Sequence, residues 1–240
     1  MVSGGGRSPV QVDGALLAGG LGTRLRSVLP DRPKALAPVR GRPMVAYLLD
    51  QLCDAGIENT VLCVGYLAAM IEQALGSHHR RMSLQYSCES EPLGTGGALR
   101  NALPCFTGDT ILVMNGDSWC QVELKAFIAA HQRSQAEASL VLVQMDDASR
   151  YGRVLVAADN SVEQFEEKKV GGGPGLINAG IYLLSRDVIA NIPTGRSVSL
   201  EREVFPELVQ RRALQGFVTT GKFIDIGTPE SFELAATVFP

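Results

Sequence analysis

Hydrophobic positions along the chain fall into two alternating patterns. Short, mainly apolar runs at 15–18, 61–64, 84–88, 111–114 and 140–145 carry aliphatic or branched side chains, the pattern of buried strands. Between them apolar residues recur at helical spacing. Val45, Leu48, Leu49 and Leu52 follow Pro43, which suits a first helical turn, and Gly56 closes that helix. Further helices are predicted over 67–75, 95–103, 124–134 and 200–212. A last one opens at Thr228-Pro229-Glu230, with Thr228 as cap and Glu230 favoured by the helix dipole. In the second half, 151–158, 162–165 and 177–184 read as strands, with a Gly-rich loop at 171–175.

Strand alternating with helix predicts an α/β fold: a Rossmann-like, mainly parallel sheet covered by helices on both faces. The strands of the second half read as a small β-rich, substrate-facing lobe on the same sheet. Residues 1–11 are rich in Gly and Ser, without an apolar signal core, and read as a flexible leader; 12–240 reads as a single domain. Ligands of such sheets bind at the carboxyl ends of the strands, so residues just after a strand are the first candidates for a site.

Composition narrows the function. With 45% hydrophobic and 20% charged residues in 240, the chain is that of an ordinary globular protein. Its longest apolar stretch, 61–71, is broken by Gly65 and stopped by Glu72, short of the roughly 18 residues of a membrane span. A net charge of −3 carries no sign of a basic nucleic-acid surface. Neither membrane nor nucleic acid is expected as a partner. Cys53, Cys63, Cys88, Cys105 and Cys120 are scattered without zinc-site spacing and read as buried thiols of a reducing cytoplasm. His78-His79 reads as solvated surface.

The strongest local signal follows the first strand: Ala18-Gly19-Gly20-Leu21-Gly22-Thr23-Arg24-Leu25. Three glycines let backbone N–H groups close around a phosphate. Arg24 adds a fixed cation and Pro33-Lys34 a second. Each is worth about 4 kcal/mol at about 4 Å from a phosphate oxygen and an effective dielectric near 20. By residues alone the loop also reads as a plain turn with solvated basic residues. It is not a dinucleotide fingerprint, because Leu25 stands where the third glycine belongs. Nor is Gly216 to Gly221-Lys222 a P-loop, because Phe223 replaces the magnesium-holding hydroxyl and a strand-like run follows. Asp117 follows the run 111–114, and on residues alone it reads equally as a turn residue, as Asp225 does as a helix-entry residue.

The loop, with Pro33-Lys34 and Pro38-Val39, resembles the signature of the sugar-1-phosphate nucleotidyltransferases. The resemblance continues in order through Glu91-Pro92-Leu93-Gly94-Thr95-Gly96-Gly97-Ala98, Asn115-Gly116-Asp117, Phe165-Glu166-Glu167-Lys168, Asn178-Ala179-Gly180-Ile181-Tyr182 and Asp225-Ile226-Gly227-Thr228-Pro229. Six blocks in family order are far more specific than any one. The run from Leu25 to Lys34, with Ser199-Leu200-Glu201 ahead of Val204-Phe205-Pro206, resembles most the branch that guanylylates D-glycero-D-manno-heptose 1-phosphate.

This resemblance implies a transferase that joins a nucleoside triphosphate, GTP in that branch, to a sugar 1-phosphate and releases pyrophosphate. It implies Arg24 and Lys34 as the catalytic cations. Ala18, Gly19, Gly20, Gly22, Thr23, Gly94, Thr95 and Gly96 would bind nucleotide. Asn115, Glu167, Lys168, Asn178 and Gly180 would bind the sugar phosphate, and Asp117 with Asp225 would hold Mg2+. Two departures stand out: Arg26-Ser27-Val28-Leu29 where many members have x-Pro-Leu-Thr, and Arg42 where a lysine is common. Mannose 1-phosphate guanylylation, uridylyl or thymidylyl transfer to other hexose phosphates, and a non-catalytic nucleotide-sugar-binding regulator are the alternatives. A cytoplasmic monomer or homodimer is expected.

Overall fold

The computed structural model of the chain describes residues 11–25, 28–166 and 173–239. The elements begin with β1 (Val12–Leu17), β2 (Pro38–Val39), β3 (Arg42–Pro43), α1 (Met44–Ala55), β4 (Asn59–Val64), α2 (Ala68–Leu75), β5 (His78–His79) and β6 (Met82–Cys88). Next come α3 (Gly94–Ala102), β7 (Thr110–Asn115), β8 (Ser118–Cys120), α4 (Leu124–Ser134), β9 (Ala138–Met145), β10 (Arg153–Val156) and β11 (Val162–Glu166). The chain finishes with β12 (Gly175–Ser185), α5 (Arg186–Ala190), α6 (Phe205–Gln210), β13 (Leu214–Thr219), β14 (Phe223–Asp225) and α7 (Pro229–Val238).

Side chains alternate across the central sheet, and that alternation builds two cores. Leu16, Leu62, Leu112 and Leu183 point to the face covered by α1, α4 and α7. Their neighbours Ala15, Val61, Ile111 and Tyr182 point to the face covered by α3, α5 and α6. The central strand order is β6-β4-β1-β7-β12-β9-β13. Strands β6, β4, β1 and β7 are mutually parallel, as are β9 and β13, while β12 runs against both its neighbours. The mainly parallel sheet flanked on both faces is therefore present. Leu48, Leu49 and Leu52 of α1 are fully buried, and each contributes about 2 kcal/mol of burial. Gly56 closes the helix at a left-handed φ of 90°, and Thr228 caps α7 reciprocally with Ser231.

Several expectations need correction. The helix read over 200–212 is a π-turn at Leu200–Val204 followed by α6, because Pro206 has no N–H to continue the ladder. Pro104 likewise turns the end of the helix read over 95–103 into a 3-10 turn. The strand read over 151–158 pairs only at Arg153–Val156. The run from Gly216 to Lys222 opens no helix, as expected: it begins within β13, which pairs parallel with β9, and β14 follows it. Cys88 is exposed, not buried. His79 is not simply solvated: its Nε2 lies 2.8 Å from Asp50 Oδ1, in a cluster with Arg42 and Arg80. Arg42 also stacks over Tyr47, 4.7 Å from the ring centre. Except for Gln11, the leader lies outside the described residues, as do 171 and 172 of the Gly-rich loop.

At the amino end of the sheet Asp13, 1% exposed, accepts from Thr107 N at 2.6 Å and Gly108 N at 2.7 Å. Asp13→Ala strips the buried Gly108 N–H and the part-buried Thr107 N–H of their partner and is expected to cost about 2–4 kcal/mol. Urea denaturation measures this, and an unchanged midpoint would remove Asp13 from the account.

Candidate active site

The carboxyl ends of β1, β4 and β7 meet at one point. Gly116 N donates to Leu17 O at 2.9 Å and Ala18 N to Cys63 O at 2.8 Å. Above this junction opens a cleft of about 360 Å³, lined by the glycine loop from Ala18 to Leu25, by Lys34 and by Asn115, Gly116 and Asp117. Loop shape follows from a 3-10 turn at Thr23–Leu25. Leu25, 2% exposed, anchors it in the interior, which leaves Arg24 on the cleft side. A second 3-10 turn, Lys34–Leu36, buries Ala35 and Leu36 and turns Lys34 toward the same space. A Cβ on Gly20 would meet nothing within 4 Å, so that backbone is open to a ligand.

Lys34 Nζ donates to Asp117 Oδ2 at 2.8 Å, and the two side chains are 15% and 43% exposed. Asp225 joins them through β8 and β14, which pair antiparallel with Ser118 opposite Asp225. Ile226 N donates to Asp117 O at 2.9 Å, and Gly227 N donates to Asp225 Oδ1. Burial pushes the Asp225 carboxyl up, and the charge of Asp117 pushes it further; Lys34, the Gly227 N–H and Arg24 pull it back. Arg24, Lys34, Asp117 and Asp225, four of the six charged residues named from the sequence, therefore share one electrostatic neighbourhood. Two hard oxygen donors that leave room for phosphate oxygens and water fit Mg2+.

The helix α3 forms the opposite wall through Gly94, Thr95 and Ala98. Gly94 is required: its φ is +71°, and a Cβ would lie 2.6 Å from Val198 O. The Gly96 and Gly97 amides are spent on Val198 O, at 2.8 and 3.3 Å. Gly96 is buried behind the wall, so contrary to expectation it does not line the cleft. Asn178 and Gly180 also stand back from it, behind Asn115. Glu167 and Lys168 lie outside the described residues.

Sequence reading missed Glu89. It lines the cleft between the glycine loop and α3, and its Oε2 accepts from Leu93 N at 3.2 Å. A Cβ on Gly19 would lie 2.7 Å from its Oε1, so loop and carboxylate are in close approach. Burial pushes the carboxyl of Glu89 up, partly offset by the Leu93 N–H. Only its position after the strand read over 84–88 pointed to it.

Fold and site together define a class. The nucleotidyl transferase family model matches residues 13–238, and the chain belongs to that family. A mannose-1-phosphate guanylyltransferase of Mycobacterium tuberculosis is 37% identical over 92% of this chain, which spans 63% of that relative's length. The D-glycero-alpha-D-manno-heptose 1-phosphate guanylyltransferase of Aneurinibacillus thermoaerophilus is 34% identical, covering 93% of this chain and 96% of its own. Among solved structures, HddC from Yersinia pseudotuberculosis complexed with GMP-PN superposes with a TM-score of 0.82 at 34% identity, covering 95% of this chain and 99% of its own.

Proposed function

We propose that residues 12–240 act as one domain that transfers a guanylyl group from GTP to D-glycero-α-D-manno-heptose 1-phosphate, giving the GDP-sugar and pyrophosphate. One observation carries the transfer reading: Arg24, Lys34 and Asp117 line the cleft with a glycine loop at the carboxyl ends of β1 and β7, and Asp225 lies within electrostatic reach of all three. The match over nearly the whole length of the heptose relative supports the heptose acceptor. The 37% identity to the mannose enzyme favours mannose 1-phosphate as the second reading.

The acceptor brings its own nucleophile. A phosphate monoester has a second pKa near 6, so a sugar 1-phosphate is mostly dianionic at neutral pH. It attacks the α-phosphorus in line and pyrophosphate leaves, so the obstacle is repulsion between anions. Catalysis is then positioning and charge neutralisation, without a protein nucleophile. The glycine loop amides cradle the triphosphate, and Arg24 and Lys34 offset its charge and that of the departing pyrophosphate. Glu167 accepts from sugar hydroxyls and Lys168 holds the sugar phosphate, with Asn115 bordering it and Asn178 and Gly180 backing Asn115 from behind. Mg2+, held by Asp117 and Asp225, would neutralise and orient phosphate oxygens. Among the described residues no helix is long and apolar enough to cross a membrane. We read the enzyme as cytoplasmic, a monomer or homodimer, with no nucleic-acid partner.

Glu89 is the basis for guanine. Guanine presents two adjacent donors, N1–H and the N2 amine, on its pairing edge, and a carboxylate accepts both. Glu89→Gln is expected to lower kcat/KM for GTP about 100-fold, because its NH2 group opposes one guanine donor and the bond to the other loses its charge assistance. The GTP/UTP ratio of kcat/KM measures it, and an unchanged ratio would exclude Glu89 from base choice. The reaction itself is tested with four nucleoside triphosphates against several sugar 1-phosphates, scored by pyrophosphate release. Turnover confined to GTP and the manno-configured heptose phosphate is expected; preference for UTP or dTTP would overturn the guanylyl assignment.

A further inference from the structure

One carboxylate outside the cleft ties its two edges together. Glu201 stands on the π-turn Leu200–Val204, where three hydroxyl donors converge on it. Thr95 and Ser199 donate to Oε2 at 3.0 and 2.8 Å, and Tyr182 donates to Oε1 at 3.0 Å. Thr95 Oγ1 also accepts from Leu200 N at 2.8 Å, so the first turn of α3 is pinned to the π-turn twice.

The other arm leads to the acceptor side. Tyr182 is fully buried, and its hydroxyl accepts from Asn178 Nδ2 at 2.9 Å. Asn178 Oδ1 accepts from Gly180 N at 2.9 Å. Between these residues β12 bulges away from β9: Asn178 pairs with Leu142 but Tyr182 with Leu140. Gly180 sits in the bulge at a φ of +73°, so close to Asn115 that a Cβ would lie 2.6 Å from its Nδ2. Asn115 in turn lines the cleft two residues before Asp117. Bulges of this kind re-aim a strand beside a site.

We propose that Glu201 is a positioning residue that fixes, through Thr95 and Tyr182, the nucleotide edge of the cleft relative to its acceptor edge. This rests on the transfer reading above. The chemistry of the junction requires a carboxylate. Glu201 receives three hydroxyl protons and an ionised carboxylate is acceptor-only, whereas a glutamine would turn its NH2 group toward one of those donors. Tyr182 is fully buried, so its hydroxyl depends on the side chains around it, Glu201 on one arm and Asn178 with Asn115 on the other. The network therefore holds α3 and the β12 bulge in one relative placement, and in-line transfer depends on that placement to about 1 Å.

Tyr182→Phe and Glu201→Gln test this, alone and combined. Tyr182→Phe keeps the ring that packs edge-on against Phe205 at 5.0 Å and removes only the hydroxyl. Three readouts are taken: calorimetric Kd for a non-hydrolysable GTP analogue, kcat and KM for the sugar phosphate, and the thermal midpoint. Tyr182→Phe is expected to leave the analogue Kd within about twofold while kcat/KM for the sugar phosphate falls about tenfold or more. Glu201→Gln, which disturbs both arms, weakens the analogue as well, and the double variant is no worse than Glu201→Gln alone. Wild-type kcat and KM with only a lowered midpoint would overturn the proposal, as would fully additive losses. A wild-type protein that binds the analogue but releases no pyrophosphate with any acceptor overturns the transfer reading instead.

Discussion

Lys34→Ala is expected to lower turnover by about three orders of magnitude while the protein remains folded. The ammonium group is 15% exposed and held at 2.8 Å from Asp117, so it acts in an environment between water and dry protein. A unit charge at about 4 Å contributes about 4 kcal/mol there, which is roughly a thousandfold in rate if it is expressed mainly in the transition state. The loss should fall on kcat, because charge builds on the leaving pyrophosphate as the bond breaks. Folding should survive, because the 3-10 turn that carries Lys34 is anchored by Ala35 and Leu36. Steady-state kinetics beside a thermal melt check both halves. A folded variant with full turnover would remove Lys34 from the mechanism.

Asp117→Asn should be nearly as damaging, for a different reason. The substitution keeps the shape and an oxygen acceptor for Lys34 but removes one of two adjacent negative charges. Asp225 then loses the neighbour that pushes its carboxyl up, and the pair loses a hard anionic donor for Mg2+. Activity at fixed Mg2+ is expected to drop by about two to three orders of magnitude, with the Mg2+ activation midpoint moved to higher concentration. A Mg2+ titration of the initial rate decides it. An unshifted midpoint at wild-type rate would take Asp117 out of the metal site.

Local signals in the chain were enough for the sheet and the glycine loop. Branched runs marked β1, β4, β7 and β9, and the caps at Gly56 and Thr228 were visible because capping is a matter of one or two residues. What the chain hid was long-range pairing. Asp117 and Asp225 meet because two strands of three residues each, β8 and β14, pair across about a hundred positions, and strands so short carry no periodicity. A different feature hid Glu201: its spacing fits a continuous helix, and only the break imposed by Pro206 sets it on a π-turn facing Thr95 and Tyr182. Glu89 follows a run recognised as strand, yet nothing in its spacing told a cleft carboxylate from a surface one.

The glycine-rich wall of the cleft was legible in kind but shifted in detail. Gly94 and Thr95 face the cleft, whereas Gly96 gives its amide to Val198. Glycine-rich helix starts serve close packing as readily as ligand approach, and sequence does not separate the two uses. Here adjacent residues divide them.

In the proposed reaction, fixed cations and a carboxylate-held divalent ion would allow two anions to react in one cleft. Pyrophosphate release from GTP, with and without a manno-configured heptose 1-phosphate and with and without a metal chelator, tests it most directly. Release is expected only when acceptor and Mg2+ are both present, in one-to-one ratio with a GDP-sugar. Release that ignores the acceptor, or that continues undiminished in chelator, would contradict it.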